Sequence, residues 1–393
     1  MPAMLAVAYG GGHINALLPV ILDRRAAGWR VEILALTTAA ATCAAGGVPF
    51  SRLMDIPDLL SAEARRRGAE LAATLPANPA VPVEESIAYL GAGWGDLAGE
   101  FGALEADRRY AAEGRRCFLP VAALERAIRH FAPDLVLTTS APRAERAAVL
   151  AAGRLGISSI CVVDLFAIEE SAWIGQPGYA SRVCVPVPGV RQRLLDQGRH
   201  PDEIVVTGNP AFDRLGDPTL GERGQRLRER RGWLNKKLIL WASQPEPQDP
   251  SVPRGVESAL VAALGDHPDW QLVIRPHPND QYTLPPEGPQ VCHSFRGENL
   301  AELLAACDLV VTMTSTVGLE AVLLGKPLVT WDRSASTWGA PYAEMGLSLG
   351  VVRHQDLAPA VARALAGGGP RPQLPPVGGA TARVSAVASA LLG

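Results

Sequence analysis

Short apolar runs alternate with helical stretches along most of the chain, and this alternation limits the fold more than any other feature. In the first half, runs of aliphatic and β-branched residues predict strands at Leu5–Tyr9, Val31–Leu36, Leu135–Thr138, Ser159–Val163, Val183–Val187 and Ile204–Val206. A weaker run predicts a further strand at Phe50–Met54. Strands that alternate with helices of this length are joined by right-handed crossovers into a mostly parallel sheet.

The second half repeats the pattern. Strands are predicted at Leu238–Ala242, Leu272–Ile274, Leu309–Thr312 and Leu328–Trp331, with helices near residues 256–264, 300–306, 319–324, 356–366 and 380–392. The sequence therefore predicts an α/β fold of two doubly wound, Rossmann-like domains, residues 1–215 and 216–393, with the last helix packing back on the first domain. Such sheets bind ligands at the carboxyl ends of their strands, so we expect the two domains to face each other across a cleft.

Residues 58–118 interrupt the alternation in the first domain. They have the Ala, Arg and Glu spacing of helices, broken by a proline-rich stretch and by Gly91, Gly93 and Gly95. We interpret this segment as a helical insertion.

Composition excludes several classes of function. The 393 residues carry a formal net charge of −3, which argues against binding nucleic acid through neutralised phosphates. The six cysteines form no CxxC pair, which predicts reduced thiols in a cytoplasmic protein. The chain begins without a basic leader, and no stretch approaches the ~20 apolar residues of a membrane span. We expect a cytoplasmic protein; peripheral contact with the inner face of the membrane and the oligomeric state stay open.

Glycines and a histidine follow the first predicted strand, in the run Gly10-Gly11-Gly12-His13. Glycines let a backbone approach a ligand closely, and the helix that follows supplies N–H groups, so Gly11 and Gly12 are candidates for ligand binding. His13 at the helix start is a candidate general base for a sugar hydroxyl. A capping or core histidine is the other interpretation.

Further polar residues follow strands of the first domain. Asp164 comes directly after a predicted strand, and Glu169 and Glu170 lie close behind. A carboxylate there could take a proton from an acceptor or give one to a leaving group, or it could cap the next helix. Asn209, in the turn Gly208-Asn209-Pro210, could present its amide to a ligand at the domain boundary.

The second domain offers candidates for binding a nucleotide. Ser243 and Gln244 follow its first strand, where a hydroxyl and an amide could bind a phosphate or a base. His277 lies between two prolines and, paired with Arg275, would form a donor site for a phosphate or a sugar carboxylate.

A second group of polar residues precedes the predicted helix 319–324. Thr314, Ser315, Thr316 and Gly318 offer hydroxyls and N–H groups to a phosphate at that helix N-terminus. Glu320, expected in the first helical turn, could accept hydrogen bonds from ribose hydroxyls or only favour the helix dipole.

Motifs for other chemistries are missing from the sequence. The GKP at 325–327 is not the phosphate-binding GxxxxGK[ST], because proline follows the lysine. No DxD pair and no HExxH occurs, so we expect neither a metal nor another cofactor.

The motifs together resemble those of GT-B glycosyltransferases and their relatives. GGGH is similar to the glycine loop of the peptidoglycan GlcNAc transferase, and GNP to its hinge. His277-Pro278 and Thr314-Ser315-Thr316 resemble the phosphate-binding motifs of capsule and lipopolysaccharide transferases, such as polysialyltransferases and Kdo transferases. UDP-N-acetylglucosamine 2-epimerases share the architecture, and Ser315, Gly318 and Glu320 are similar to their diphosphate- and ribose-binding segment. Their paired-glycine DSGG is absent here, as is their N-terminal Arg-Pro-Glu.

The resemblance implies a metal-independent glycosyltransferase of bacterial surface-polysaccharide synthesis. It would move a sugar from a CMP- or UDP-linked donor to a glycan, glycolipid or protein acceptor, with His13 or Asp164 as base and His277 stabilising the leaving phosphate. The second hypothesis is a nucleotide-sugar 2-epimerase or hydrolase that uses carboxylates such as Asp164, Glu169 or Glu170. A third is a nucleotide-sugar sensor without activity.

Overall fold

The computed structural model divides into two compact units. It describes residues 1–76, 78, 81–246, 248–277, 284–295 and 297–393. Unit 1 comprises Met1–Ala211 and Gly379–Gly393, and unit 2 comprises Phe212–Gly378. Each unit is an α/β layer structure around one six-stranded parallel sheet, so the predicted fold of two α/β domains is confirmed.

The strands of unit 1 are β1 (Ala3–Ala8), β2 (Arg30–Ala35), β3 (Leu135–Thr139), β4 (Ser158–Val162), β5 (Arg182–Val185) and β6 (Ile204–Val206). They lie in the order β2-β1-β3-β4-β5-β6. The order reverses between β1 and β3, and ligands of doubly wound sheets bind at the carboxyl ends of strands beside such a switch point.

The helices of unit 1 are α1 (Gly11–Ala26), α2 (Thr37–Ala45), α3 (Ala62–Ala72), α4 (Val83–Phe101), α5 (Ala103–Glu113), α6 (Val121–Phe131), α7 (Ala144–Arg154), α8 (Ser171–Ile174) and α9 (Pro188–Asp196), with α15 (Ala380–Leu391) from the end of the chain. Every residue of β1 is buried, and its alternate side chains join different cores. Met4 packs in a core that includes α1 and α15, whereas Leu5 packs in one that includes α4, α6 and α7. Helices therefore cover both faces of the sheet, as buried parallel strands require.

The glycine cluster of residues 91–95 lies inside α4, so the expectation that these glycines break the helix was wrong. A Cβ at Gly68 of α3 would come within 2.9 Å of the Gly91 backbone, and one at Gly91 would lie 2.6 Å from the Ala64 carbonyl oxygen. The glycines allow α3 and α4 to pack with their backbones almost in contact.

The strands of unit 2 are β7 (Lys237–Ala242), β8 (Trp270–Arg275), β9 (Val291–His293), β10 (Leu309–Thr312), β11 (Leu328–Trp331) and β12 (Leu349–Val351). Their order is β12-β11-β10-β7-β8-β9, which places the switch point between β7 and β10. The helices are α10 (Leu220–Arg231), α11 (Ser251–Ala263), α12 (Leu300–Ala306), α13 (Thr316–Leu323) and α14 (Leu357–Leu365).

Two local predictions were wrong. Phe50–Met54 is not a strand: Ser51 makes one isolated bridge to Leu34, and a 3-10 turn follows at Leu53–Asp55. The helix predicted at 319–324 begins earlier, at Thr316, because the Ser315 side chain caps it by accepting a hydrogen bond from the Val317 N–H. Glu320 therefore lies in the second helical turn instead of the first.

Candidate functional site

A buried glutamate holds His13 at the carboxyl edge of the unit 1 sheet. The Nδ1 atom of His13 lies 3.0 Å from Oε1 of Glu145, in the first turn of α7. The same Oε1 accepts a hydrogen bond of 2.6 Å from the backbone N–H of Tyr9, at the end of β1. Glu145 is fully buried, whereas the His13 side chain is 30% exposed. The imidazole is thus fixed on one side and open to a ligand on the other.

Nearby carboxylates control the charge of His13. Burial disfavours the imidazolium, but the hydrogen bond and charge of Glu145 and the charges of Asp164 and Glu170 outweigh that effect and raise the pKa of His13. A raised pKa makes the imidazole a stronger base but leaves less of it unprotonated at neutral pH. His13 is therefore better suited to donate a proton than the sequence alone indicates.

The structure separates the three predicted carboxylates of this edge. Asp164 follows β4 and is partly buried, as is Glu170, whose pKa is raised by burial and by the charges of Asp164 and Glu169. Glu169 is exposed and is not among the main causes of the raised pKa of His13. Asp164 and Glu170, together with His13 and Glu145, form what we call the acid–base cluster.

Asn209 joins two loops at this edge. Its side-chain amide donates to the backbone carbonyl of Asp164 at 2.9 Å, and its Oδ1 accepts from the Ala211 N–H at 2.9 Å. The preceding Gly208 has φ +79, which glycine adopts without strain. Asn209 is thereby a positioning residue for the Asp164 loop, a role that differs from the expected ligand contact.

The predicted glycines occupy the first turn of α1. A Cβ at Gly11 would lie 2.9 Å from the Thr42 hydroxyl, and the Gly11 N–H donates to the Thr38 hydroxyl at 3.1 Å. Gly11 therefore permits close packing of α1 on α2. Gly12 is exposed, and a Cβ there would meet nothing within 4 Å, so its surface is open to a ligand.

Three buried polar atoms of this edge have no hydrogen-bond partner within the described residues. They are the hydroxyls of Thr138 and Thr139 in β3 and Oε2 of Glu145. Burying such atoms without a partner costs free energy, so each is suited to receive a ligand group or a water. Glu145 was not predicted from the sequence as a site residue, although a glutamate in an otherwise Ala-rich helix next to a strand end could have indicated it.

In unit 2, two predicted residues meet at the switch point of the sheet. The Gln244 amide, after β7, donates to the Thr314 hydroxyl at 2.6 Å, and its Oε1 accepts from the Thr314 N–H at 3.0 Å. The neighbouring Ser243 is 4% exposed, and its hydroxyl has no partner in the described part of the chain. Ser243 therefore offers a buried hydroxyl beside the Gln244–Thr314 pair.

The N-terminal turn of α13 is held by a buried tyrosine. The Tyr342 hydroxyl donates to the Ser315 carbonyl at 2.6 Å and accepts from the Leu319 N–H at 3.1 Å. A Cβ at Gly318 would lie 2.9 Å from Tyr342 Cζ. Gly318 therefore makes room for Tyr342, while the partly buried Thr314 and Ser315 and the exposed Thr316 carry the polar surface of the turn.

Glu320 has a partner that sequence analysis missed. Its buried carboxylate forms an ion pair with Arg214, in the 3-10 turn Pro210–Gly216. Burial raises the pKa of Glu320, and the charges of Arg214 and Arg275 act in the opposite direction. Glu320 therefore anchors Arg214, a role that the sequence did not predict.

Arg275, which the sequence predicts to form a donor pair with His277, contacts the loop after β9. The Arg275 guanidinium donates to the Ser294 hydroxyl at 2.8 Å and to the Phe295 and Glu298 carbonyls. It thereby holds the loop after β9. His277 is partly buried, and Pro278, the second residue of the predicted motif, lies outside the described residues.

The sequence analysis also missed Glu246, which lines a cavity of about 840 Å³ in unit 2. Its Oε2 accepts from the Ser334 hydroxyl at 2.6 Å and from the Ala335 N–H at 3.0 Å. Its Oε1 is buried and has no partner among the residues described. This second buried carboxylate follows β7, on the same edge as Ser243 and Gln244.

Among the described residues, no group of three or more His, Cys, Asp and Glu side chains could hold a metal ion. In the same part of the chain, no helix is long and apolar enough to cross a membrane.

Solved structures of nucleotide-sugar enzymes share this fold. The UDP-GlcNAc 2-epimerase of Neisseria meningitidis, bound to UDP-GlcNAc, aligns over 100% of both chains with a TM-score of 0.60 and 14% identity. That of Methanocaldococcus jannaschii aligns over 99% of this chain and 100% of its own, with a TM-score of 0.58 and 13% identity. The calicheamicin glycosyltransferase CalG4 aligns over 100% of this chain and 98% of its own, with a TM-score of 0.58 and 17% identity. No curated protein sequence matches the chain.

The family model for UDP-N-acetylglucosamine 2-epimerase matches residues 118–340, more than half of the chain. The chain belongs to the UDP-N-acetylglucosamine 2-epimerase family. This confirms the predicted relationship to the GT-B and epimerase-like superfamily. The matched region of this family member contains Glu145, Asp164, Glu170 and Glu320, whereas His13 precedes it. Glycosyltransferases are similar in structure only, so the predicted transferase activity is not confirmed.

Proposed function

We propose that the chain is an enzyme that acts on UDP-N-acetylglucosamine without an acceptor, and that it inverts the sugar at C2. Inversion requires the C2–H bond to break on one face and to form again on the other, so both a base and an acid are needed. No carbonyl adjoins C2, so the electron pair of the broken C2–H bond forms a C1–C2 double bond as UDP leaves C1, and UDP adds back to C1 when C2 receives a proton on the opposite face. The observation that carries the proposal is the acid–base cluster: His13 on the buried Glu145, with Asp164 and Glu170 close enough to raise its pKa.

The roles follow from the charges. His13, with its raised pKa, is the proton donor, and the carboxylate of Asp164 or Glu170 accepts the proton from C2. The raised pKa of Glu170 makes it a stronger base than an ordinary glutamate carboxylate. Glu145 touches no substrate in this scheme and acts through His13.

We assign the nucleotide to unit 2. Its contacts would come from the Ser243 hydroxyl, the Gln244–Thr314 pair, the N-terminal turn of α13 with Ser315 and Thr316, and Glu320 with Arg275 and His277. Hydroxyls, N–H groups and cations can stabilise a diphosphate without a metal, so we propose that none is required.

The test is incubation of UDP-N-acetylglucosamine alone, in EDTA, with the products followed by proton NMR. The proposal predicts the C2 epimer; free UDP and N-acetylglucosamine would indicate hydrolysis instead. Asp164→Asn and Glu170→Gln should each lower turnover by about 10²-fold or more, the scale of one general acid–base group. Glu169→Gln is the matched comparison, because Glu169 is exposed and acts only through its charge on Glu170; it should lower turnover far less than either cluster substitution.

Glycosyl transfer is the second candidate, favoured by the fold shared with CalG4 and by the absent DSGG glycines. It predicts that the donor stays intact until a glycan, glycolipid or protein acceptor is added. An unchanged donor that is nevertheless bound would therefore contradict the epimerase proposal.

A further inference from the structure

A cavity of about 510 Å³ lies in unit 1, lined by Tyr9 after β1, by the start of α2 and by residues of α3, α4 and the segment between them. Its volume is within the range of pockets that hold small molecules, roughly 300–1,000 Å³. The aliphatic and proline side chains that line it are Ala72, Leu75, Pro76, Val81, Val83 and Leu90. Such walls favour an apolar occupant, because burying apolar surface is the main source of binding free energy here.

Asn78, Ser86 and the exposed Arg115 also line the cavity, and two buried polar groups face it. Glu85 and Tyr89 are four residues apart on α4 and so share one face of the helix. Glu85 is 0% and Tyr89 3% exposed, yet Oε1 of Glu85 and the Tyr89 hydroxyl have no hydrogen-bond partner within the described residues. The other Glu85 oxygen accepts from the Met54 N–H at 3.3 Å, which fixes the carboxyl group.

The protonation of these groups decides what they offer a ligand. Burial raises the pKa of Glu85 to about 7. The hydrogen bond from the Met54 N–H and the charge of Arg52 lower this pKa by a smaller amount, and the charge of Asp55 raises it. Burial also raises the pKa of Tyr89. Near neutral pH, both groups therefore carry O–H donors for much of the time, and they suit a neutral acceptor such as a carbonyl oxygen.

The cavity adjoins the acid–base cluster. Tyr9 lines the cavity, and its N–H donates to the same Glu145 oxygen that holds His13. Thr38 also lines the cavity and accepts from the Gly11 N–H. A group in the cavity would thus lie next to the turn that carries His13.

We propose that this cavity binds a neutral, mainly apolar group that bears a carbonyl, either as an acyl substituent longer than acetyl on the amino sugar or as part of a separate small molecule. The apolar walls take the chain, and the Glu85 and Tyr89 hydroxyl groups donate to the carbonyl oxygen. The first source rests on the proposed function, and the second is independent of it.

The experiment measures binding by calorimetry to the full chain, with UDP-linked N-acetyl-, N-butanoyl- and N-hexanoylglucosamine, and separately with hexanamide. If the acyl chain enters the cavity, affinity should rise by up to about fourfold for each added methylene. Binding of hexanamide alone, without a gain along the sugar series, would identify a separate molecule as the source.

Two variants localise the effect. Ala72→Phe, at the end of α3, fills the cavity and should remove both the chain-length gain and hexanamide binding. Tyr89→Phe removes one donor and should lower affinity about fivefold or more, with the fold checked by circular dichroism. Neither residue belongs to the acid–base cluster.

A flat chain-length series together with no hexanamide binding overturns this proposal, even if UDP-N-acetylglucosamine is epimerised. Conversely, hexanamide binding that Ala72→Phe abolishes supports the cavity even if no sugar nucleotide is converted. The two proposals therefore fail separately.

Discussion

At the residue scale, Glu145 determines what His13 can do. A fully buried carboxylate that contacts both the imidazole and the Tyr9 N–H fixes the orientation of the ring and stabilises its charged form. Glu145→Gln keeps an oxygen for the Tyr9 N–H but removes the charge, so the pKa of His13 should fall. An NMR titration of the imidazole measures this shift.

The matched control for that substitution is Glu169→Gln, which removes an exposed charge on the same edge and should leave the His13 titration in place. If the imidazole titrated equally in the wild type and in Glu145→Gln, the pairing of the two side chains would be refuted.

In the wild type, the raised pKa of His13 adds stability that is present below the unfolded-state pKa and is lost as the pH rises through the folded-state pKa.

The buried Glu85 carboxyl group should make the free energy of unfolding depend on pH. Its pKa is raised to about 7 in the folded state, so the folded state holds the proton more tightly than the unfolded state. The free energy of unfolding should therefore decrease, by roughly 3 kcal/mol at most, as the pH rises from about 4.5 to above 7. Glu85→Gln should remove this decrease, measured by urea unfolding at pH 5 and pH 8.

Glu84→Gln, one residue earlier and exposed, is the control and should keep the wild-type dependence on pH. If the free energy of unfolding of Glu85→Gln changed between pH 5 and pH 8 as much as that of the wild type and of Glu84→Gln, the buried, protonated Glu85 would be contradicted.

At the scale of elements, α13 and the segment around Tyr342 stabilise each other. Gly318→Ala would bring a Cβ to 2.9 Å from Tyr342 Cζ, so Tyr342 would shift and lose its bonds to Ser315 and Leu319. We expect destabilisation of about 1–3 kcal/mol, the cost of overpacking, and weaker nucleotide binding. Denaturant unfolding and UDP titration measure the two effects.

Gly339→Ala serves as the comparison, since a Cβ there meets nothing within 4 Å. Equal stability of the Gly318 and Gly339 variants would show that Tyr342 does not require the glycine.

The same elements show how far the sequence predicts the structure. Leu309–Thr312 and Leu328–Trp331 are apolar and β-branched runs that begin directly after Asp308 and Pro327, and their limits are predicted correctly. Strand β12 was missed because it has only three residues and Gly350 lies in its middle. The start of α13 was placed too late because its first residues are polar, and only the Ser315 cap reveals them as helical.

Contacts between distant residues explain why much of the candidate site was not predicted. His13 and Glu145 are 132 residues apart, and Arg214 and Glu320 are 106 apart. Hydrophobic periodicity gives the strands but not which side chain on one element meets which on another. The strand ends therefore predicted His13, Asp164, Gln244 and Thr314 as candidates, whereas Glu145, on a helix, was missed.

At the scale of the whole molecule, binding should stabilise the chain against unfolding. A nucleotide at about 100 times its dissociation constant adds roughly 2.7 kcal/mol, which corresponds to a few degrees in the melting temperature. We expect UDP to do this more than CMP, GDP or dTDP, with no change on adding EDTA. A rise in the melting temperature with CMP alone would favour an acidic-sugar transferase. If EDTA abolished the rise caused by UDP, binding without a metal would be contradicted.

The central claim, that the acid–base cluster breaks and forms the C2–H bond of UDP-N-acetylglucosamine, is tested most directly by reaction in D₂O. Proton NMR and mass spectrometry should show deuterium at C2 of the epimer formed by the wild type, and loss of this exchange by about 10²-fold or more in Asp164→Asn and Glu170→Gln. The Glu169→Gln variant should lose far less exchange than either cluster variant. Conversion without deuterium at C2, or full exchange in both cluster variants, would contradict the account.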